Sequence, residues 1–496
     1  MEATISADYV IVGAGSAGCV LANRLSARPG QRVVLLEAGH DDRPLRKPSQ
    51  FMSNLNIHIP AGWAKLNGDP AVNWNYQSLP EPGVGGRIIQ VPRGKVLGGS
   101  SSINGLVYVR GFPSDYDTWR QLGCTGWGWS DLLPIFMGME DAAFGDPSLR
   151  GRGGPIKVTK VEDYLSTIDD MIQATREAGF PETDDYNGSA QEGVTYCQQN
   201  SATGVRLSAA RAYLHPVASR KNLRVETGAL VTRVIIENGR ATGVEFTRNG
   251  EIVRVNANAE VILCGGSINS PVLLERSGIG DGQRLQDLGI PVAADRREVG
   301  ENLQDHYLMA VSARLKDGTP SVNGTAAGWP LVKSIARYLL SRKGLLASSS
   351  CTINGFVRSR PDVDIPDIQL MGAAATVDRY ATAANSAIML DEFPGLTLGG
   401  WVLRPESRGS CHASAAAPSA APAIQFNYLS TPADVIDAVN LLRVIHKVLR
   451  QPSLASLMES ENLPAWDAPD DFETLAAMCR DIGGSGDHPV GTCRMG

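Results

Sequence analysis

The sequence predicts an α/β fold with more than one domain, and three observations support this prediction. The chain has 496 residues, well above the size of a single hydrophobic core. The apolar run at residues 9–12 leads directly into a glycine-rich segment at 13–18 and a helical pattern. A second apolar run, at 32–37, ends in an acid. This order of strand, helix and strand is typical of a parallel sheet that binds a dinucleotide.

The composition excludes several classes of protein. With 43% hydrophobic and 20% charged residues, the chain is neither disordered, collagen-like nor a coiled coil. A net charge of −6 gives no basic surface for nucleic acid, and no apolar run approaches the roughly 20 residues of a membrane span. The first residues lack the features of a signal peptide, and the eight cysteines contain no C-x-x-C pair. We therefore expect a cytoplasmic protein with reduced thiols, no metal site and no disulfides.

The first glycine-rich motif predicts a pyrophosphate site. Gly13 permits a sharp turn, Gly15 lets the main chain approach the phosphates, and Gly18 lets the helix pack on the strand. Glu37 ends the second strand, where it can accept hydrogen bonds from ribose hydroxyls, and an acid there argues against NADP. A purely structural glycine turn is the alternative, and the motif alone does not separate FAD from NAD. The predicted contacts in this region are Gly13, Gly15, Ser16, Ala17, Gly18, Glu37 and Ala38.

Two further segments predict close approaches of the main chain to a ligand. The small residues at 98–102 would let the backbone lie flat against a planar ring, although a flexible surface loop is the alternative. The apolar residues around them disfavour such a loop. Residues 259–264 read as a strand that runs into Gly265 and Gly266, and Ser270 precedes a proline that suits the first turn of a helix. Residues 223–234 alternate as one strand.

These segments together resemble the glucose–methanol–choline (GMC) family of flavin oxidoreductases. Residues 94–117 resemble the family's first signature and residues 266–280 its second, while 299–306 and 488–492 resemble two further blocks. The resemblance implies a Rossmann-like FAD-binding domain, interrupted by a substrate domain built on a mixed or antiparallel sheet with helices. It implies FAD-domain segments at 1–160, 225–320 and 470–496, and substrate-domain segments at 161–224 and 321–469.

The resemblance also implies how FAD is held. Some family members bond FAD to a histidine at the position of Ile103, which has no nucleophile, so non-covalent FAD is expected. Val231 matches the position whose backbone holds the adenine, although an ordinary strand residue is the alternative. Asn104 is expected near the reactive edge of the flavin. The further implied contacts are Arg93, Gly94, Val96, Gly98, Gly99, Ser100, Asn104, Gly105, Val107, Val231, Cys264, Gly265, Gly266 and Ser270.

The resemblance implies oxidation of an alcohol by hydride transfer to flavin N5, which also requires a base for the hydroxyl proton. Of the seven histidines, His488 matches the family's catalytic histidine. His306 is more consistent with support of a domain junction, and nothing in the sequence decides the role of His58. Asp487 departs from the family, where an aromatic residue or histidine is common. Its carboxylate is expected either to raise the pKa of His488 or to be solvated.

Several points stay open in the sequence. Family members continue beyond residue 496 with a second active-site histidine or asparagine, so we expect the natural chain to continue as well. A flavin-containing lyase and a non-catalytic FAD-binding chain are alternatives, whereas a light-driven decarboxylase is disfavoured because residues 367–371 contain no arginine. The substrate is expected to be a sugar, polyol, choline-like or aliphatic alcohol. The electron acceptor (quinone, dye or O2) and a homodimeric assembly also stay open.

Overall fold

A computed structural model describes residues 4–162, 164–378, 388–463 and 469–495 of the chain. Its helices in chain order are α1 (Ser16–Leu25), α2 (Phe51–His58), α3 (Trp63–Leu66), α4 (Pro113–Gln121), α5 (Trp129–Met139), α6 (Thr167–Glu177), α7 (Gly266–Arg276), α8 (Gly282–Asp287), α9 (Gly328–Ser341), α10 (Pro432–Leu449), α11 (Pro452–Ala455) and α12 (Phe472–Ile482). Its strands in chain order are β1 (Thr4–Val12), β2 (Val33–Glu37), β3 (Tyr76–Gln77), β4 (Gln90–Val91), β5 (Glu140–Ala142), β6 (Ile156–Lys160), β7 (Gly193–Tyr196), β8 (Gln198–Ala202), β9 (Val205–Arg206), β10 (Leu223–Thr227), β11 (Leu230–Glu237), β12 (Arg240–Arg248), β13 (Glu251–Leu263), β14 (Ile279–Gly280), β15 (Ala294–Asp295), β16 (Tyr307–Leu315), β17 (Ile353–Val357), β18 (Ile368–Ala373), β19 (Gly395–Val402), β20 (Ser410–Ala413), β21 (Pro422–Gln425), β22 (Met458–Leu463) and β23 (Gly484–Ser485).

The N-terminal strands lie in a six-stranded sheet of order β10-β2-β1-β13-β12-β11. Its first four strands are parallel, and β12 and β11 extend it as an antiparallel ribbon. Every residue of β2 is buried, as expected for a parallel strand covered on both faces. The prediction of one strand over 223–234 is wrong. Gly228 has a φ of 64° and turns the chain, so that β10 and β11 lie at opposite edges of this sheet.

A second sheet of order β17-β18-β19-β16-β22 is antiparallel throughout, and α10 packs against it. The short strand β23 pairs with the start of β16, with Tyr307 opposite Ser485. A bridge between Gln304 and Val490 continues this pairing outside the strands. Because the two segments run antiparallel, the residue before β16 and the loop after β23 are brought side by side. His306 and His488 lie on these two segments.

A third sheet, of order β5-β6-β8-β9, completes the larger layers. The predicted fold class is confirmed: a Rossmann-like parallel sheet is combined with an antiparallel sheet and helices. The strands of the parallel sheet come from two separated parts of the chain, residues 4–37 and 223–263. The exact domain boundaries proposed from the sequence stay a prediction.

Candidate active site

The glycine-rich turn after β1 requires glycine for steric reasons. Gly13 has a φ of 97°, and a Cβ there would lie 2.5 Å from the carbonyl oxygen of Cys264. A Cβ on Gly18 would lie 1.9 Å from the carbonyl oxygen of Gly13. The turn leads into α1, whose N-terminus has no side-chain cap and no acid in its first turn. Ser16 and Ala17 are exposed there, so free N–H groups and the positive end of the helix dipole are available to an anion.

Glu37 holds the turn in place from the end of β2. Its carboxylate accepts hydrogen bonds from the backbone N–H of Ala14 at 2.9 Å and of Gly39 at 2.8 Å. Burial raises the pKa of this carboxyl to about 7, against these two hydrogen bonds. Each oxygen accepts one of these bonds, which leaves a second lone pair for a ligand hydroxyl. Ala38 lies between Glu37 and Gly39.

The loop at residues 93–100, the predicted flavin loop, lies directly on the glycine-rich turn at residues 13–18, the nucleotide turn. Gly98 donates its backbone N–H to the carbonyl of Ala14 at 2.8 Å. Gly99 has a φ of 55°, and a Cβ there would lie 2.7 Å from the Cα of Gly15. The loop is closed by a hydrogen bond of 3.1 Å from the N–H of Gly94 to Oγ of Ser100. These contacts explain why small residues occupy 98–100, because no side chain fits between the two backbones.

The remaining predicted FAD contacts lie on three further segments of the chain. Cys264 donates its N–H to the carbonyl of Val12 at 2.7 Å, which places the following glycines, 265 and 266, beside the turn. Ser270 lies one turn further along α7; the expectation that Pro271 stands in the first turn of this helix is wrong, because the helix begins at Gly266 and Pro271 lies inside it. Val231 lies on β11, whose preceding residue, Ala229, donates to the carbonyl of Glu37 at 2.8 Å. Gly105 and Val107 follow the flavin loop: the carbonyl of Gly105 accepts a hydrogen bond from the N–H of Ser350, and Val107 pairs with Gln199. Contact of these two residues with FAD stays a prediction.

Ile103 is buried in an apolar cluster beside Val96. Its hydrocarbon side chain offers no atom that could bond to a flavin, which supports non-covalent binding. Asn104 follows it and is exposed. Its side-chain oxygen accepts hydrogen bonds from the N–H of Leu106 at 3.2 Å and from Nη1 of Arg206 at 2.7 Å. Only the oxygen of an amide accepts hydrogen bonds, so these two donors fix which way the Asn104 amide is turned. Its Nδ2 is then left as a donor on the exposed side of the residue.

Arg206 is a site residue that the sequence did not reveal. Its side chain is buried, and the hydrogen bonds described for it all end on neutral oxygens. They reach the carbonyls of Ile57, Ser101 and Asn104 in addition to the Asn104 amide. Burial alone lowers the pKa of Arg206 to about 9. No motif marks this arginine, because its partners lie about a hundred residues away in the sequence.

The loop that carries His488 is fixed by a buried carboxylate. The backbone N–H of His488 donates to Oδ1 of Asp305 at 2.8 Å. The other oxygen of Asp305 accepts hydrogen bonds from the hydroxyls of Tyr428, at 2.6 Å, and Ser485, at 2.5 Å. Both oxygens of this carboxylate thus accept hydrogen bonds, and the one to Oδ1 holds the backbone N–H of residue 488 in position.

His306 contacts His488 directly. Their Nδ1 atoms lie 3.1 Å apart, and Nε2 of His306 lies 3.1 Å from the carbonyl oxygen of Leu403. The ring of His306 also stacks on Trp401, with 12° between the planes. The expectation that His306 only supports a domain junction is thus too narrow, since the structure places its ring against the candidate base. No pattern in the sequence indicates this contact, apart from the block at 299–306 that contains His306.

The hydrogen-bond network determines the tautomers of the two rings. A carbonyl oxygen only accepts hydrogen bonds, so Nε2 of His306 carries the hydrogen that points at Leu403. Neutral His306 then has its lone pair on Nδ1, and His488 must donate from its own Nδ1. This leaves Nε2 of neutral His488 unprotonated. His306 therefore selects the tautomer of His488 in which Nε2 can act as a base.

The electrostatic surroundings keep His488 neutral. Although the residue is exposed on one side, the protein around it desolvates the ring and lowers the pKa of His488 to about 3, with His306 and Arg93 acting in the same direction. Of the two alternatives expected for Asp487, the structure agrees with the exposed carboxylate that does not raise this pKa, because the shift in the pKa of His488 comes from burial, His306 and Arg93. Asp487 is partly exposed, but its Oδ1 lies 3.5 Å from Nη2 of Arg93, which also donates to the Asp487 carbonyl at 2.8 Å. The carboxylate is thus engaged by Arg93, and the pKa of His488 is lowered.

The residues fit the dinucleotide part of FAD on two structural grounds. The glycines of the turn leave a surface of bare main chain, and the uncapped N-terminus of α1 supplies the N–H donors that a pyrophosphate requires.

Within the described ranges, none of the helices combines the length and the apolar character that a membrane crossing requires.

Comparison with known proteins identifies the family. Residues 7–308 and 405–496 match the N-terminal and C-terminal domains of the GMC oxidoreductases. An oxygen-dependent choline dehydrogenase of Rhizobium johnstonii is 40% identical over 99% of this chain and 86% of its own length. The mitochondrial choline dehydrogenase of Homo sapiens is 38% identical over 99% of this chain and 80% of its own length.

Solved structures give the same result. The pyridoxine 4-oxidase of Mesorbium loti superposes with a TM-score of 0.85 at 30% identity, covering 99% of this chain and 89% of that one. A formate oxidase superposes with a TM-score of 0.87 at 25% identity, again over 99% of this chain and 89% of that one. The chain therefore belongs to the GMC oxidoreductase family and is an FAD-dependent oxidoreductase that acts on CH–OH donors.

Proposed function

We propose that His488 is the base of the alcohol oxidation and that Asn104 orients the substrate oxygen. The observation that carries the proposal is the contact between His306 and His488, which leaves Nε2 of His488 as a free acceptor. The exposed Nδ2 of Asn104 is a matching donor, because Arg206 and Leu106 occupy the amide oxygen. A neutral imidazole and an amide donor are the groups needed to hold a hydroxyl and remove its proton.

The proposed reaction needs an acceptor for the hydroxyl proton and an acceptor for the hydride. Nε2 of His488 takes the hydroxyl proton, and the alcohol carbon becomes a carbonyl carbon as its hydride leaves. Bound FAD supplies the hydride acceptor. Asn104 donates a hydrogen bond to the alcohol oxygen, while Asp305 keeps the backbone of residue 488 in position. The glycine turn at 13–18 and the loop at 93–100 are proposed to bind FAD non-covalently.

The proposed substrate is an alcohol of low molecular weight, with a choline-like alcohol as the first candidate. The support is the 40% identity to an oxygen-dependent choline dehydrogenase over almost the whole chain. Sugars, polyols, simple aliphatic alcohols and pyridoxine complete the class to be tested, the last because of the structural similarity to pyridoxine 4-oxidase. No second function is favoured by an observation on the described residues.

An anaerobic alcohol panel tests this function directly. The purified protein with its FAD is mixed with each alcohol while the visible absorbance band of the flavin is followed. We expect bleaching with one class of alcohol, and subsequent admission of air distinguishes O2 from a quinone or dye as acceptor. A protein that holds FAD at full occupancy but is bleached by none of these alcohols would contradict the proposal and favour a lyase or a non-catalytic chain.

Substitution of His306 tests its proposed action on His488. His306→Leu removes the acceptor for the Nδ1–H of His488, and we expect flavin reduction to slow by about tenfold or more. His306→Asn keeps an oxygen acceptor near the same position and should retain more of the rate. Because His306 lowers the pKa of His488, the acid limb of kcat/KM should move to higher pH in His306→Leu. Equal rates and an unmoved acid limb in both variants would reduce His306 to a packing residue.

We also propose a cytoplasmic location and a homodimer. All eight cysteines lie among the described residues and all are free thiols, which suits a reducing compartment.

The helix α9 exposes Trp329, Val332, Leu339 and Leu340, an apolar face that a second copy of the chain would cover in the proposed homodimer. Analytical ultracentrifugation of the wild type and of a Trp329→Ser, Leu339→Ser variant distinguishes a dimer through this face from a monomer.

A further inference from the structure

Arg206 is a buried positive charge without a carboxylate partner. Only 1% of the residue is exposed, and within the described part of the chain no carboxylate forms an ion pair with its guanidinium. Arg110 and Arg150 are buried to the same degree, but both pair with the carboxylate of Glu140, at 2.6 Å and 2.9 Å respectively. Burial of an ion without a partner of opposite charge is strongly unfavourable. Arg206 therefore differs from the other deeply buried arginines in having a charge that the protein does not neutralise.

The hydrogen bonds of Arg206 hold this charge next to the flavin loop and Asn104. Nη1 donates to the carbonyl oxygen and to Oδ1 of Asn104, both at 2.7 Å, and lies 3.3 Å from the carbonyl oxygen of Ser101. Nε donates to the carbonyl oxygen of Ile57 at 2.8 Å. The buried Nη2 has no hydrogen-bond partner among the described residues. These bonds fix the position of the guanidinium, but none of the acceptors carries a negative charge.

The proposed reaction creates a negative charge in the same region. A hydride consists of one proton and two electrons, and Nε2 of His488 is proposed to take the hydroxyl proton. FAD therefore gains one negative charge when it accepts the hydride, and His488 gains one positive charge. A unit charge acting over roughly 10 Å at an effective dielectric constant of about 20 shifts an equilibrium that creates the opposite charge by about 15-fold. A fixed cation beside the flavin loop would thus favour hydride acceptance.

We propose that Arg206 supplies the fixed positive charge that stabilises the negative charge which bound FAD gains on accepting a hydride. The inference rests on the proposed function, in which the flavin of FAD lies beside the flavin loop and Asn104. Arg206 acts on the substrate oxygen as a positioning residue, since it also turns the Asn104 amide. Burial lowers the pKa of Arg206 to about 9, so the guanidinium stays charged at neutral pH.

The reduction potential of the bound FAD tests this proposal without any alcohol. The holoenzymes of the wild type, Arg206→Gln and Arg206→Lys are reduced chemically in the presence of a reference dye. In a second titration, inorganic sulfite is added, which bonds to oxidised flavin and gives it a negative charge. In Arg206→Gln we expect the reduction equilibrium to become at least about tenfold less favourable, which lowers the potential by about 30 mV, and sulfite to bind at least about tenfold more weakly. Arg206→Lys keeps the charge and should stay close to the wild type in both measurements at neutral pH.

Arg24→Gln is the matched control. It removes an exposed guanidinium from α1, where water and salt screen the charge, so the potential and the sulfite affinity should not change. If Arg206→Gln does not retain FAD, Arg206→Lys alone decides. A buried lysine loses its proton at lower pH than arginine, so the potential and sulfite affinity of this variant should fall below those of the wild type as the pH rises. A lysine variant that follows the wild type at every pH contradicts the proposal.

Three other results overturn the proposal. Wild-type potential and sulfite affinity in Arg206→Gln would make Arg206 a structural residue. Equal losses in Arg206→Gln and Arg206→Lys would assign the effect to the hydrogen bonds rather than to the charge. Weaker binding of oxidised FAD with an unchanged potential would assign the charge to the pyrophosphate. None of these measurements uses an alcohol, so each of these results leaves the assignment of His488 untouched, whereas a wild type that binds no FAD would contradict the proposed function itself.

Discussion

Replacement of His488 by alanine is expected to reduce the rate of anaerobic flavin reduction by about 100- to 10,000-fold. The variant loses the only group on the 485–490 loop that can take the hydroxyl proton as a neutral base at neutral pH. FAD should stay bound at wild-type occupancy, because the hydrogen bonds that hold the nucleotide turn come from Glu37 and the flavin loop. The measurement is stopped-flow absorbance of the flavin band with the best alcohol of the panel.

The matched control is Val490→Ala on the same loop. The Val490 side chain is 54% exposed, and its pairing with Gln304 uses only main-chain atoms. This variant should therefore reduce flavin at close to the wild-type rate. If His488→Ala reduces flavin as fast as Val490→Ala does, the assignment of the base is wrong. Loss of FAD in His488→Ala would instead show that the imidazole contributes to cofactor binding.

The nucleotide turn could be predicted from sequence because local sterics determine it. A residue with φ near 97° and no room for a Cβ must be glycine, so the presence of Gly13 in the sequence already indicates the tight turn. The same holds for Gly98 and Gly99, whose backbones lie against residues 14 and 15. Spacing within one short segment is sufficient for such a prediction. The prediction of FAD-dependent alcohol oxidation came from the ordered family motifs rather than from these steric requirements.

The arrangement of the proton-transfer residues could not be predicted in the same way. His306 and His488 are 182 residues apart, and only the pairing of β16 with β23 brings their rings together. Arg206 reaches Asn104 over 102 residues and belongs to no motif. For Asp487 the sequence left two orientations open. The structure places its Oδ1 3.5 Å from Nη2 of Arg93, a contact between segments almost 400 residues apart that no local pattern reveals.

Gly18→Ala is expected to weaken FAD binding by about 10- to 100-fold. A Cβ at this position would lie 1.9 Å from the carbonyl oxygen of Gly13 and 3.1 Å from its carbonyl carbon, so a backbone segment must shift to admit it. Forcing one methyl group into such a closely packed site costs about 1–3 kcal/mol, and each 1.4 kcal/mol is a factor of ten in affinity. The shift moves the turn that the pyrophosphate is expected to contact. The measurement is the FAD dissociation constant from flavin fluorescence, with occupancy after desalting as a second readout.

Gly30→Ala makes the same substitution where it is sterically free. No atom lies within 4 Å of a Cβ built on Gly30, in the loop between α1 and β2, so FAD affinity should not change. Alanine is a better helix former than glycine, and Gly18 lies inside α1, so intrinsic helix propensity would favour rather than oppose the tested variant. A loss of FAD in Gly18→Ala alone therefore identifies the contact between helix and turn as its cause. Equal FAD affinities in the two variants would mean that the pyrophosphate does not depend on the packing of α1 against the turn at Gly13.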